Sequence, residues 1–168
     1  MTANLSLIKG DLLASRHHFD AIGHGCNCQG VMGSGIAKDI KALYPEMFQS
    51  YRSRCQMGLF RPGDFFIYRT EVPKWVLNLA TQDRYGHGGP HASPEFIQQS
   101  LTKALGALQA VVKAVPVKVG LPAIGAGLGG LSWEDTEPVY IEVAESFPEV
   151  TLVVFRDYIR SYCPTEIL

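Results

Sequence analysis

The sequence predicts an α/β fold whose central sheet is at least partly parallel. A short apolar strand, a glycine-rich loop and a helix follow one another twice along the chain. Segment 117–121 is almost wholly apolar, as expected for a strand that is covered on both faces. The 168 residues are 46% hydrophobic and 18% charged, which suits one globular domain of ordinary size.

The expected elements follow in chain order from apolar periodicity and from start and stop signals. A helix is expected after Gly35, ending before Pro45. A second is expected from Ser93, whose hydroxyl is suited to the N-cap and is followed by a proline. A third is expected after Ser132, where the sequence fits a capping box. Strands are expected at 5–8, 20–24, 65–68, 75–79, 117–121 and 151–155.

Charge and cysteine spacing exclude several functional classes. A net charge of −1, from 15 basic and 16 acidic side chains, gives no basic field for non-specific nucleic-acid binding. The apolar runs are too short to span a bilayer, and charged residues interrupt the N-terminus, so we expect a cytoplasmic protein without a membrane partner. The four cysteines lack zinc-site spacing, so we expect reduced, mostly buried thiols and neither metal nor cofactor, with a cysteine metal site as the alternative.

The two glycine-rich loops are the main candidates for a binding site. Glycine lets the backbone approach a ligand, and the N-terminus of the following helix adds unpaired N–H donors and a positive dipole end, which favours an anion. Neither loop fits the P-loop, and in the first loop the pair Gly33 and Gly35 lacks the third glycine of the dinucleotide-binding fingerprint. The alternative is that the glycines only form tight turns. The candidate ligand-binding residues are Gly33, Ser34, Gly35 and Ile36 in the first loop, and Gly125, Ala126, Gly127, Leu128 and Gly129 in the second.

Three polar side chains at strand ends suggest further roles. Asn27 offers donors and acceptors that suit ribose hydroxyls. His24 is a candidate general acid or base, the alternative being a hydrogen-bonded histidine at a strand end. Asp11 is a candidate acceptor for an exocyclic amine, the alternative being a carboxylate that caps its own turn.

With these motifs the chain resembles the macrodomain family over nearly its whole length. Segment 9–12 (KGDL) is similar to the family's opening motif. Segment 27–37 (NCQGVMGSGIA) is similar to the loop that contacts the distal ribose and the first phosphate. Segment 121–133 (LPAIGAGLGGLSW) is similar to the second phosphate loop. The resemblance implies a three-layer α/β/α fold with a mixed, mostly parallel sheet, and one macrodomain over 1–168. It also implies that ADP-ribose is bound, with Asp11, Leu12 and Phe155 at the adenine and Thr81 in the site.

Within the family, the chain resembles the branch of terminal ADP-ribose protein glycohydrolases, DNA ADP-ribosylglycohydrolase antitoxins and yeast ADP-ribose 1″-phosphate phosphatases. This implies catalytic roles for His24 and Asn27. Gln82 stands where the glycohydrolases carry a lysine, and Gly129 where the human glycohydrolase carries an acid, so lysine-dependent chemistry is not expected. The nearby residues that could substitute are Asp83, Arg84, His87 and His91.

Three functions follow from these expectations. The first is hydrolysis of an ADP-ribose derivative at the distal ribose, by a phosphatase or an ADP-ribosyl hydrolase. The second is a reader that binds ADP-ribose without chemistry, and the third is a regulator that binds another nucleotide. The expected partner is ADP-ribose, or protein or nucleic acid carrying it, bound by a monomer.

Overall fold

A six-stranded sheet forms the centre of the protein. The structure is a computed structural model, and it describes residues 2–86 and 91–164. In spatial order the strands run β1-β6-β5-β2-β4-β3. Only β3 is antiparallel to its neighbour, so the sheet is mixed and mostly parallel, as predicted. The strands are β1 (Leu5–Gly10), β2 (Ala21–Cys26), β3 (Phe65–Arg69), β4 (Trp75–Ala80), β5 (Val117–Pro122) and β6 (Val150–Tyr158).

Within the described residues, four α-helices cover the two faces of the sheet and give the predicted three layers. They are α1 (Gly35–Leu43), α2 (Pro45–Gln56), α3 (Pro94–Val111) and α4 (Trp133–Ser146). One hydrophobic core joins the sheet to α3 and α4, and the other joins it to α1 and α2. Both faces of the sheet are therefore buried, which explains why the central strands are apolar almost throughout.

The helix starts agree with the sequence in part. Ser132 accepts a hydrogen bond from the Asp135 N–H and donates its own N–H to the Asp135 carboxylate, which is the predicted capping box. Ser93 lies at the N-cap of α3, but its hydroxyl makes no capping hydrogen bond. Helix α2 was not predicted. Pro45 ends α1 as expected, but it also occupies the first turn of α2, where its missing N–H costs nothing.

The register of the sheet creates an opening between β2 and β5. These strands pair in parallel at Ala21 and Ile22, whereas β2 pairs with β4 along its whole length. Beyond Ile22 the carboxyl ends of β2 and β5 are no longer paired with each other. In open parallel sheets such a crevice is where ligands bind.

Among the helices described, none combines the length and the apolar character that crossing a bilayer requires.

Candidate functional site

A cavity of about 550 Å³ lies at the carboxyl ends of β2, β4 and β5. Both glycine-rich loops line it, so the geometric expectation that they converge is confirmed. The described lining consists of Gly25–Asn27, Val31–Ala37, Thr81–Gln82, Tyr85–Gly86, Pro122–Gly127 and Gly129.

The first loop is held in shape by the side chain of Asn27. Its amide donates to the Val31 carbonyl (2.7 Å), and its oxygen accepts from the Gln29 N–H (3.0 Å) and from the Tyr51 hydroxyl (2.8 Å). Tyr51, which is fully buried on α2, also lies 2.8 Å from the Asn27 carbonyl oxygen. Asn27 lines the cavity, but most of its hydrogen-bonding capacity is used inside the loop. A helix that the sequence analysis missed thus supports the loop.

The start of α1 presents backbone donors to the cavity. Ser34 is the N-cap residue in extended conformation, and its side chain makes no capping hydrogen bond. The first N–H groups of a helix have no partner inside the helix. Those of Gly35, Ile36 and Ala37 therefore form a cluster of donors at the positive end of the helix dipole.

The second loop owes its shape to glycines in the left-handed region. Gly125 and Gly127 have φ values of +86° and +67°, which side chains rarely adopt. The Leu131 N–H donates to the Gly125 carbonyl (2.9 Å) and closes the loop. A Cβ on Gly127 would meet no protein atom within 4 Å, whereas one on Gly129 would lie 3.1 Å from the Ala92 Cβ. Position 127 thus has room for a side chain, whereas the lack of a side chain at Gly129 allows close packing on Ala92. Leu128 lies within the same short turn.

The back of the cavity also depends on a missing side chain. A Cβ on Gly25 would lie 2.7 Å from the Thr81 hydroxyl oxygen and 2.9 Å from the Ile124 Cγ2. Thr81 lines the cavity but is almost wholly buried, and its N–H donates to the Cys26 carbonyl (3.2 Å). Thr81 therefore joins β2 to β4 at the wall of the cavity.

The described cavity lining contains no carboxylate, lysine, arginine or histidine. Cys26 is fully buried, and its burial raises the pKa of the thiol well above its ordinary value, so it is protonated at neutral pH. Tyr85 lies at the rim and is about half exposed. The electrostatic character of the site comes from N–H groups, which favour an anion and supply no strong acid or base.

His24 is absent from the described lining of the cavity, where its predicted catalytic role would place it. It is fully buried on the sheet face covered by α1 and α2, with Nε2 2.8 Å from the Asn78 Oδ1. Desolvation lowers the pKa of His24 from 6.5 to about 4, an effect that the Asn78 hydrogen bond opposes. The imidazole is therefore neutral and shielded, like the hydrogen-bonded histidine considered as the alternative. Its catalytic role stays a prediction without a contact to the cavity.

The expected adenine residues also lie outside the cavity. The Asp11 carboxylate accepts from the N–H groups of Leu13 (3.0 Å) and Ala14 (3.3 Å), as a turn cap does, and from Ser161 (2.8 Å). Leu12 is fully buried, and Phe155 packs edge-to-face on Phe19 at 5.9 Å. The aromatic ring is thus part of the core rather than an open platform, and the C-terminal segment 159–164 covers Asp11.

The substitutes considered for the missing lysine do not reach the cavity where they are described. Asp83, Arg84 and His91 are absent from the described lining, and His87 lies outside the described residues. Gln82 does line the cavity, and its amide donates to the Arg84 carbonyl. Several lining residues were not among the predicted site residues: Val31, Met32, Ala37, Pro122, Ala123 and Ile124 inside the two loop motifs, and Gly25, Cys26, Tyr85 and Gly86 outside them. Of these, Tyr85 had a usable signal, an aromatic residue in a polar glycine-rich segment.

Comparisons with known proteins agree with this geometry. The family model "Macro domain" matches residues 24–140. The DNA ADP-ribosyl glycohydrolase of Mycobacterium tuberculosis is 33% identical over 149 residues, which cover 87% of this chain and 40% of that protein. The ADP-ribose 1″-phosphate phosphatase of Meyerozyma guilliermondii is 27% identical over 161 residues, covering 82% of this chain and 92% of the phosphatase.

A solved structure extends the agreement to the fold. The macrodomain of M. tuberculosis DarG superimposes with a TM-score of 0.77 at 30% identity, covering 94% of this chain and 98% of that one. The chain thus spans about two fifths of the glycohydrolase but nearly all of its macrodomain structure. The resemblance drawn from the sequence motifs is confirmed.

Proposed function

This chain belongs to the macrodomain family, and from that premise we propose that it binds ADP-ribose and hydrolyses an ADP-ribose derivative at the distal ribose. The observation that carries the proposal is the convergence of two backbone N–H clusters on one cavity. Its volume of about 550 Å³ is in the usual range for small-molecule sites, about 300–1,000 Å³. The two relatives differ in reaction, but the names of both refer to ADP-ribose or an ADP-ribosyl group.

The diphosphate is proposed to lie between the two loops. The amides of Gly35 and Ile36 would donate from one side, and that of Gly127 from the other. The Ala126 N–H, which donates to the Ala123 carbonyl (3.3 Å), would have to turn to the diphosphate to join them. No carboxylate in the described lining would repel the two negative charges. Hydrogen bonds to charged acceptors are stronger than those to neutral ones, so amides suffice without a lysine or an arginine.

The distal ribose is proposed to lie against the first loop, near Asn27 and Gly35. Asn27 would act through its remaining amide hydrogen and through the loop that it holds rigid. Tyr85, half exposed at the rim, is placed to cover one face of the bound ligand. Asp11, Leu12 and Phe155 remain predictions for the adenine. Contact of adenine with Asp11 would require the Ser161 N–H to leave its carboxylate.

The reaction proposed first is hydrolysis by a bound water. The water oxygen attacks C1″, the bond from C1″ to the modified group breaks, and the water proton passes to that leaving group, with help from the ligand's own diphosphate. The described lining supports this route because it offers no side-chain base. Preorganised amides stabilise charge without reorganising, which is a large contribution in many enzymes.

The second candidate reaction is removal of a 1″-phosphate. It is favoured by the similarity to the phosphatase of Meyerozyma guilliermondii, because the match covers 92% of that phosphatase. His24 would be the base or nucleophile, and its imidazole would first have to reach the cavity. A reader without activity is the alternative from another class, favoured by Gln82 in place of the lysine of the glycohydrolases.

The deciding experiment combines binding and turnover. Calorimetry measures ADP-ribose affinity, and product release is followed from ADP-ribose 1″-phosphate, ADP-ribosylated protein and ADP-ribosylated DNA. Release from any of the three supports the enzyme, whereas tight binding with no release from all three supports the reader. A thermal-shift panel in which another nucleotide stabilises the protein more than ADP-ribose would favour the nucleotide regulator.

The expected monomer and cytoplasmic location stay part of this proposal. Light scattering after size-exclusion chromatography tests the first, and localisation in cells tests the second.

A further inference from the structure

Three side chains that the proposed function does not use lie together where the connection from β1 to β2 meets the C-terminal segment after β6. They are His17 and His18, which follow one another in the short 3₁₀ helix Arg16–His18, and Cys163 in the C-terminal segment. One ligand atom from each lies within 4.8 Å of the other two. We propose that these residues bind a transition-metal ion of the zinc class and thereby fasten the C-terminal segment 159–164 to the body of the domain.

The donor set selects the class of metal. Two imidazole nitrogens and one thiolate suit Zn²⁺ and Co²⁺, whereas Mg²⁺ and Ca²⁺ require oxygen ligands. Three protein ligands leave the fourth tetrahedral position to water. Sequence spacing does not reveal this set, because Cys163 lies far along the chain from the histidine pair.

The geometry requires only a small closure. With metal–ligand bonds of about 2.0–2.3 Å, tetrahedral ligands lie roughly 3.3–3.7 Å apart, so separations of up to 4.8 Å must shrink by at most about 1.5 Å. Both histidines are exposed, and their ring centroids are 4.1 Å apart, so their side chains are free to turn towards one point. The neighbouring Arg16 directs its guanidinium to the Leu13 carbonyl (2.6 Å).

The surroundings of Cys163 support a thiolate ligand. The hydroxyl oxygen of the buried Ser15 lies 3.5 Å from its sulfur and 2.9 Å from the Asp11 carbonyl oxygen. The His18 N–H donates to the Ser15 carbonyl (3.0 Å), so the same residue also orders the turn that carries the histidines. The Ser15 hydroxyl has one proton, which would turn from the Asp11 carbonyl to the sulfur once Cys163 is a thiolate. Outer hydrogen bonds of this kind orient metal ligands and tune their basicity.

The metal would hold down a segment that already touches the end of β1. The Asp11 N–H donates to the Tyr162 carbonyl (2.7 Å), and the Ser161 N–H donates to the Asp11 carboxylate (2.8 Å). The Ile159 N–H donates to the Gly10 carbonyl (3.1 Å). A bond from the metal to Cys163 would close this set of contacts at its far end. The clamp concerns the fold of the segment, and its tests use no ADP-ribose. A metal-held segment would also keep the Ser161 N–H on the Asp11 carboxylate, and so would oppose the predicted contact of adenine with Asp11.

Cobalt binding tests the site directly. Co²⁺ alone is titrated into the reduced full chain, and visible d–d bands and the ultraviolet thiolate-to-cobalt charge-transfer band are recorded. We expect both to saturate at one equivalent in the wild type. Cys163→Ser should lose the charge-transfer band and at least about 100-fold in affinity, because loss of even an outer partner costs 10–100-fold. His18→Ala should weaken binding to a similar degree.

The matched control is Cys55→Ser, which removes a free, partly buried thiol outside the cluster. It should retain the wild-type spectrum and affinity. No charge-transfer band in the wild type, or Cys163→Ser binding Co²⁺ as tightly as the wild type, would overturn the proposal.

Zinc supplies a second readout that does not depend on the spectrum. At Zn²⁺ about 100-fold above Kd, Tm should rise by about 5–10 °C in the wild type and in Cys55→Ser, but not in Cys163→Ser. Hydrogen exchange at the Asp11 and Ser161 amides should slow with Zn²⁺ in the wild type and in Cys55→Ser, but not in Cys163→Ser. Unchanged exchange at both amides in metal-loaded protein would contradict the clamp.

Discussion

A negative charge at Gly127 should abolish ADP-ribose binding if the second loop faces the diphosphate. In Gly127→Glu, a carboxylate about 4 Å from one phosphate charge costs about 4 kcal/mol at an effective dielectric constant of about 20. That energy corresponds to a loss of roughly 1,000-fold in affinity. Calorimetry with ADP-ribose measures the change.

Gly127→Ala is the matched control, because the two variants share the backbone penalty. Gly127 has a φ of +67°, so any side chain costs about 1–2 kcal/mol of stability, or roughly 2–8 °C in Tm. The alanine Cβ meets no protein atom within 4 Å, so Gly127→Ala should still bind, within about tenfold of the wild type. If Gly127→Glu binds as tightly as Gly127→Ala, the loop does not face the diphosphate. If alanine alone abolishes binding, backbone conformation rather than charge is responsible.

Three further predictions concern the residues behind the cavity. His24→Ala should lower the free energy of unfolding by about 2–4 kcal/mol, because it leaves a void and an unpaired buried Asn78 oxygen. Its ADP-ribose affinity should change by less than about threefold. Loss of turnover with intact binding would instead establish catalysis by His24. Because the pKa of His24 falls from 6.5 unfolded to about 4 folded, its neutral form stabilises the fold fully above pH 6.5, and that stability is lost as the pH falls towards 4. Between these pH values, chemical denaturation of the wild type should show a loss of up to about 3 kcal/mol in the free energy of unfolding, and His24→Gln should not show it. Equal pH profiles for the two proteins would contradict the burial of an unprotonated imidazole. Tyr51→Phe removes the hydroxyl that holds Asn27. It should cost about 1 kcal/mol of stability and weaken ADP-ribose binding several-fold. Unchanged affinity would show that the first loop keeps its shape without this hydroxyl.

Much of the fold could be predicted because local signals and topology agree. The strand–loop–helix order, the apolar central strands and the capping box at Ser132 each specify the same layered arrangement. Helix α2 was missed because Pro45 is compatible both with the end of one helix and with the first turn of the next. Its sequence is also polar apart from a few buried positions, among them Met47, Phe48 and Tyr51.

The candidate site was predictable at its loops and less so at its side chains. Glycine loops at the ends of parallel strands converge for topological reasons, which the sequence order already contains. Successive side chains of a strand point to opposite faces of the sheet, so residues two apart share a face. Ile22 and Cys26, two residues before and after His24, belong to the core under α1 and α2, and His24 faces the same side. The C-terminal segment meets Asp11 through backbone groups at residues 161 and 162, and such contacts leave no mark in side-chain patterns.

The central claim is that amides of both loops bind one diphosphate at the same time. Backbone amide chemical shifts, followed by NMR during a titration with ADP-ribose, test this most directly. We predict that the amides of Gly35, Ile36, Ala126 and Gly127 shift together, along one saturation curve at a ratio of 1:1. Shifts confined to one loop, or located away from both, would contradict the account.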